Sequence, residues 1–331
     1  MSTAVLATRA TFADVLDRLR EHFVVEHNPT DAVWSPAELI RRLQGKHGVM
    51  STGSERFDAA VLDACPQLRA VCNVGVGYNN IDVEACSARG VIVTNTPDVL
   101  TETTADFGFA LMMATARRIT ESERAVRRGE WTRTGIHDHF AGSDVHGATL
   151  GILGMGRIGQ AIARRGSAGF GMRVIYHNRT RLAPALEAAA GASYVDKATL
   201  LRQADHLVLV LPYTPASHHA IGAAELALMK QSATLTNIAR GGIVDDAALA
   251  AALRAGTIAA AGLDVFEGEP AIHPALLDLP NVVITPHIGS ATLRTRRAMA
   301  ALAADNLVAA LGRGPDAGHP PTPVNPGVER R

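Results

Sequence analysis

The chain of 331 residues has only three cysteines, Cys65, Cys72 and Cys86, and no two of them are spaced C-x-x-C. That rules against a disulfide framework or a zinc cage and points to free thiols in a reducing compartment. Net charge is also lacking: Lys plus Arg total 32 and Asp plus Glu total 32. A generic electrostatic grip on nucleic acid or on an acidic membrane is therefore not expected. No apolar run reaches the roughly 18 residues a membrane span needs. The N-terminal stretch Ala4–Ala7 is too short for a signal peptide, and Arg9, Asp14 and Asp17 follow it closely. The expected location is the cytoplasm. No fixed-period repeat marks a solenoid.

What is present fits a soluble globular protein, with 47% hydrophobic and 19% charged residues. The length exceeds what one core usually holds, so two domains are expected. In the first hundred residues, short apolar strands (Ala4–Ala7, Gly48–Met50, Leu68–Val74, Val91–Thr94) alternate with helical patterns. One of these helices opens at Ser35-Pro36, an N-cap residue followed by proline in the first turn. A long Ala-, Leu- and Met-rich helix follows over Thr101–Ile119, and a shorter one over Glu121–Gly129. The strand–helix rhythm then restarts, with strands at Thr149–Leu153, Val174–Tyr176, Leu207–Leu211, Thr234–Asn237, Ala259–Val265 and Val282–Thr285. Strands alternating with helices imply parallel sheets. A last helix is expected over Leu293–Leu311, and the Pro- and Gly-rich tail from Gly312 is expected to be extended and mobile.

The segment Thr149–Gly159 is an apolar strand running through Gly154-x-Gly156-x-x-Gly159 into a helix. In a dinucleotide-binding turn the first glycine allows the tight bend and the second lets the backbone approach a pyrophosphate. The third lets helix and strand pack closely, and the helix N-terminus favours the anion. The next strand ends in Tyr176-His177-Asn178-Arg179-Thr180-Arg181, with no carboxylate where an NAD site usually has one. Guanidinium groups suit a 2′-phosphate, so Asn178, Arg179 and Arg181 point to NADP(H) in preference to NAD(H), which stays possible.

Three chemically complementary residues follow strands of the second half: Arg240, Glu269 and His287. In open α/β sheets, ligands bind beyond the carboxyl ends of strands. An imidazolium at His287 can protonate a carbonyl oxygen near neutral pH, and Glu269 can hold its second ring nitrogen. Arg240 can bind a substrate carboxylate and polarise the carbonyl. No metal is called for. His137-Asp138-His139 with His146, and His218-His219, read as ordinary loop residues, and the pairs Arg117-Arg118 and Arg127-Arg128 as solvated helix positions.

At these motifs the chain resembles the D-isomer-specific 2-hydroxyacid dehydrogenases, from about Leu68 to Asn325 and more loosely to the N-terminus. The likeness is greatest to the glyoxylate/hydroxypyruvate reductase and 2-ketogluconate reductase branch, through Asp144-Val145-His146-Gly147 and the basic Asn178-Arg179. The resemblance implies two doubly wound parallel-sheet domains, Rossmann-like and flavodoxin-like, with a cleft between them. Residues 1–100 plus 288–331 would bind substrate, and 101–287 the dinucleotide. It implies NAD(P)H-dependent reduction of a small 2-keto acid (glyoxylate, hydroxypyruvate or 2-keto-D-gluconate) to the D-2-hydroxy acid, by a homodimer.

Carried over, Arg240 and His287 also contact substrate, as do Val74, Gly75, Val76 and Gly77, whose backbone N–H groups would face its carboxylate. Thr104, Arg157, Ile158, Leu211, Pro212, Ala239, Asp264 and Gly289 would join the glycines around the dinucleotide. Ala239 stands where the family often has Ser. Some relatives bring a partner-subunit Trp near the segment Ile136–Ala141, which here holds His137, His139 and Phe140. Other readings of the same motifs are an NAD-dependent phosphoglycerate-type dehydrogenase, disfavoured by Arg179 and Arg181, and a dinucleotide-sensing corepressor-like scaffold. Formate oxidation is disfavoured by Pro286, where that branch has Gln.

Overall fold

The structure is a computed structural model that describes residues 3–135 and 140–328. His137, Asp138 and His139 lie outside the described residues. The chain forms two compact units, one from residues 1–100 and 292–331 and the other from 101–291. The return to the first unit thus falls at Thr292, which caps the last helix, and not at 288. Among the described residues, no helix is long and apolar enough to cross a membrane.

The first unit holds a five-stranded parallel sheet. In chain order its strands are β1 (Ala4–Ala7), β2 (Val24–His27), β3 (Gly48–Ser51), β4 (Ala70–Asn73) and β5 (Ile92–Thr94), and across the sheet they run β2-β1-β3-β4-β5. The central strands β3 and β4 are buried throughout, because helices cover both faces of a parallel sheet. One face packs on the helix Leu293–Ala310 through Ala300, Ala303, Ala304 and Leu307. That helix approaches so closely that a Cβ on Gly48 would lie 2.6 Å from Leu307 Cδ1. Strand β2 did not stand out in the sequence. It is an edge strand, with Val24 exposed and the rest half-buried, so it lacks the continuous apolar run that betrays the inner strands.

The C-terminal tail departs from expectation. Pro323 bridges Thr94 antiparallel to the sheet, and Val324 N–H donates to Val93 O at 2.8 Å. Asn325 accepts from Val93 N–H at 2.8 Å and donates to Val91 O at 3.0 Å and to Ser87 Oγ at 2.9 Å. Prolines leave the tail extended, and that shape lets it run along the free side of β5. Replacing the buried Asn325 by Ala strands these backbone groups, and we expect unfolding by urea to show a loss of about 1–3 kcal/mol.

The second unit holds a seven-stranded parallel sheet. Its strands are β6 (Thr149–Leu153), β7 (Arg173–His177), β8 (Ala192–Tyr194), β9 (His206–Leu209), β10 (Thr234–Asn237), β11 (Ala260–Leu263) and β12 (Val282–Ile284), in the order β12-β11-β10-β9-β6-β7-β8. Chain order reverses between β6 and β9, the switch point where doubly wound folds take their ligands. The helix Thr101–Ala116 lies on β10 and β11, made possible by small residues. A Cβ on Gly108 would stand 2.5 Å from Ile238 Cδ1, and one on Gly262 would stand 2.4 Å from Thr115 Oγ1. Strand β8, like β2, is a short, half-exposed edge that apolar periodicity does not reveal.

Candidate active site

The glycine loop occupies the switch point, and its three glycines have three different surroundings. Gly154 has φ +104°, and a Cβ there would lie 2.6 Å from Leu211 N, so both conformation and space require glycine. A Cβ on Gly159 would stand 2.3 Å from Gly154 O, which fixes the start of the helix Arg157–Arg164 against the strand. At Gly156 no described residue lies within 4 Å of that position. This exposed N-cap therefore leaves backbone open to an anion, and the surroundings fit a pyrophosphate. Asn178 Oδ1 accepts from Met155 N–H at 2.6 Å and ties the loop to the end of β7. Leu211 and Pro212 follow β9 beside Gly154.

Beyond β7 the two arginines part company. Tyr176 is fully buried, and its hydroxyl donates to Glu187 at 2.7 Å while accepting from Leu182 N–H at 2.9 Å. Arg181 forks onto the same Glu187 at 2.9 and 2.8 Å. The Arg181 hydrogen bond, then that of Tyr176, pull the Glu187 carboxyl down to about 2. Arg181 is thus tied to Glu187 at the surface of the unit, with its side chain still 63% exposed. Arg179 is exposed and has no hydrogen bond or ion pair with a described residue.

Three loops at the carboxyl ends of β10, β11 and β12 carry Arg240, Glu269 and His287. Asn237, the buried last residue of β10, shapes the first loop by accepting from Ala239 N–H at 3.1 Å and donating to Arg240 O at 3.3 Å. Arg240 Nη1 donates to Ala239 O at 2.7 Å. Burial lowers the Arg240 pKa, while the Glu269 charge works the other way. Next along the chain, Gly241 lies backbone to backbone on the second loop, and a Cβ there would stand 1.7 Å from Phe266 O. The Gly-Gly pair after Arg240 is the sequence signal for this contact.

Asp264, directly after β11, is 2% exposed and holds the third loop with both carboxylate oxygens. Oδ1 accepts from the Thr285 hydroxyl at 2.7 Å and Ile288 N–H at 2.8 Å, and Oδ2 accepts from Gly289 N–H at 2.9 Å. Its backbone carbonyl accepts from His287 N–H at 3.0 Å. Burial raises the Asp264 carboxyl pKa despite these bonds. This clasp holds His287 at φ +53°, a conformation a non-glycine residue adopts only when its surroundings impose it. Thr104 and Gly289 lie in the same place: a Cβ on Gly289 would be 3.3 Å from Asp264 Oδ2 and 3.5 Å from Thr104 Cγ2. The buried Thr104 hydroxyl has no hydrogen-bond partner among the described residues.

His287 Nδ1 meets Glu269 Oε2 at 2.7 Å, and Glu269 Oε1 accepts from Phe266 N–H at 2.9 Å. Burial opposes the charge on Glu269. The hydrogen bond to His287 and the charges of His287 and Arg240 outweigh it, and the carboxyl sits below its usual value. The imidazole is about half exposed, and its Nε2 has no partner among the described residues. His218 and His219 stack with ring centroids 3.9 Å apart, and His219 pairs with Glu267 at 2.9 Å, bracing the loop that carries Glu269. In the first unit, Val74 extends the β4 pairing through its N–H to Ser51 O at 2.7 Å, and Gly75–Gly77 form the half-buried loop beyond it.

Residues 109–289 match the profile of the D-isomer specific 2-hydroxyacid dehydrogenase NAD binding domain. The chain belongs to the D-isomer specific 2-hydroxyacid dehydrogenase family. Among members of that family, a glyoxylate reductase of Thermococcus onnurineus is 49% identical over 312 residues, 93% of each chain. A glyoxylate/hydroxypyruvate reductase B of Klebsiella pneumoniae is 50% identical over 315 residues, 94% of this chain and 96% of that one. The crystal structure of an NADPH-dependent glyoxylate/hydroxypyruvate reductase from Sinorhizobium meliloti, with NADP and malonate, is similar with a TM-score of 0.87. It is 37% identical and covers 100% of this chain and 99% of its own. The family profile ends at residue 289, so it takes in the glycine loop and all three of Arg240, Glu269 and His287.

Proposed function

We propose that this dehydrogenase reduces a small 2-keto acid, glyoxylate or hydroxypyruvate first among them, to the D-2-hydroxy acid, with NADPH as the favoured reductant. The 2.7 Å pairing of His287 with Glu269, set by the Asp264 clasp, carries the reading. A dinucleotide whose pyrophosphate the Gly154–Gly159 loop would hold would supply the hydride from its reduced nicotinamide. Arg240 binds the substrate carboxylate and draws electron density toward the carbonyl oxygen. His287 Nε2 gives its proton to that oxygen as the carbonyl carbon gains hydrogen, and the neutral ring is reprotonated by solvent. Glu269 stabilises the imidazolium that makes this donation possible. Thr104, Asp264 and Gly289 serve the dinucleotide side of the site, and Gly75–Gly77 take the substrate carboxylate. Of the named relatives, two are glyoxylate/hydroxypyruvate reductases, one of them NADPH-dependent, and the third is a glyoxylate reductase. A homodimer is part of the proposal, on family likeness.

A panel of 2-keto acids that includes 2-keto-D-gluconate, followed by nicotinamide absorbance with NADPH and NADH, tests it. Reduction of glyoxylate and hydroxypyruvate with higher kcat/KM for NADPH is the expected result. No oxidation of either cofactor with any 2-keto acid would rule out the reductase. Arg179, unlike Arg181, is available to a 2′-phosphate. Arg179→Asp should therefore lower kcat/KM for NADPH by about 10-fold or more and leave that for NADH nearly unchanged. Equal losses with both cofactors would remove Arg179 from cofactor choice.

A further inference from the structure

The loop after β4 is held from behind by two asparagine side chains. Asn73 Nδ2 donates to Gly75 O at 3.2 Å and to Gly77 O at 2.9 Å. Asn95 Nδ2, just past β5, donates to Val76 O at 2.8 Å. Thr96 N–H adds a second bond to Gly75 O at 3.0 Å. Three successive carbonyls are thus captured by the protein. A trans peptide sets the N–H of each residue antiparallel to the carbonyl before it. Fixing the carbonyls of Gly75 and Gly77 therefore turns the N–H groups of Val76 and Tyr78 away from Asn73, and fixing that of Val76 turns the Gly77 N–H away from Asn95. The N–H groups of Gly75, Val76 and Gly77 donate to no described residue. Half-buried donors without acceptors are costly unless water or a ligand serves them.

The asparagines are themselves fixed. Asn73 is 1% exposed at the end of β4. Asn95 O accepts from the Thr322 hydroxyl at 2.6 Å and from the amide of Asn306, which is 0% exposed on the helix Leu293–Ala310. Asn306 Oδ1 in turn accepts from Thr322 N–H at 2.9 Å. The docked tail and the last helix therefore set the place of Asn95.

We propose that Asn73 and Asn95 are positioning residues that preset the Val76 and Gly77 N–H groups as donors for the substrate carboxylate. This rests on the functional reading above. Neither side chain is assigned a contact with substrate, and their effect passes through the backbone they hold. A preset donor pair binds an anion without first ordering the loop, so losing an anchor weakens carboxylate binding in ground and transition states alike.

The test measures Asn95→Ala and Asn73→Ala with glyoxylate, with oxamate as a non-reacting carboxylate inhibitor, and with NADPH binding measured by fluorescence. Asn95→Ala should raise the KM for glyoxylate and the Ki of oxamate together, by about 10-fold. It should leave kcat within about 3-fold and the Kd of NADPH unchanged. A general loss of structure would lower kcat and NADPH affinity as well. Unchanged KM and Ki in folded Asn95→Ala would overturn the inference. If Asn73→Ala does not fold, Asn95→Ala alone decides. If the unaltered chain reduces no 2-keto acid it is the functional reading that fails, and if it reduces hydroxypyruvate but not glyoxylate the KM is read with hydroxypyruvate.

Discussion

His287→Ala should lower kcat for 2-keto acid reduction by about 100-fold or more while leaving the Kd of NADPH unchanged. The ring is half exposed and contributes little packing, so stability should change by less than about 1 kcal/mol. Stopped-flow measurement of nicotinamide oxidation, with NADPH binding measured separately, separates lost proton transfer from lost cofactor. Activity near the starting level would remove His287 from the mechanism. Glu269→Gln keeps the shape but not the charge, and should cost less. The Glu269 carboxyl lies below its usual range in the folded protein, so its stabilising charge is complete above that range and is lost only as pH falls through the lowered value. At neutral pH the unaltered enzyme thus always has the carboxylate facing the ring.

The second large effect is expected at a residue with no side chain. At Gly241 an added Cβ would stand 1.7 Å from the carbonyl oxygen of Phe266, and this neighbour is backbone that cannot rotate aside. Gly241→Ala must therefore force apart the loops carrying Arg240 and Glu269. Displacements of about 1 Å can cost 100-fold in rate, and overpacking typically costs about 1–3 kcal/mol. Both the unfolding midpoint and kcat should fall. Gly156→Ala is the counterpart. Its site is open and its φ of −75° suits any residue, so folding should be unaffected. The added methyl group would instead occupy the approach of the pyrophosphate, and NADPH affinity should drop about 10-fold or more. If Gly241→Ala were as stable and active as the starting protein, the close packing of these loops would be wrong.

These contrasts show what can be read from the residues alone. The inner strands β6 and β9 carry apolar runs, β10 continues the strand–helix rhythm, and the glycine motif is local, so the second sheet and its glycine turn are legible. That Arg240, Glu269 and His287 fall in loops at the same end of one sheet is legible because each follows a strand of a parallel sheet, and all such strand ends face the same way. The edge strands β2 and β8 were not legible, since a half-exposed strand of three or four residues leaves no clear period. Nor was the docking of Asn325, whose partners in β5 lie more than 230 residues away. Arg179 and Arg181 look equivalent as letters. Only the fold brings Glu187 under Arg181 and leaves Arg179 open. The sequence places Asp264 on the cofactor side; that both its oxygens hold the loop of His287 is visible only in the fold.

The most direct test of the account is a double-mutant cycle on His287 and Glu269, with kcat for glyoxylate measured in His287→Ala, Glu269→Ala and the pair. If Glu269 acts only through the imidazole, the double variant should be no slower than His287→Ala alone. Losses that multiply, with the double variant slower by the product of the two single effects, would show that the residues act independently and would contradict the paired mechanism.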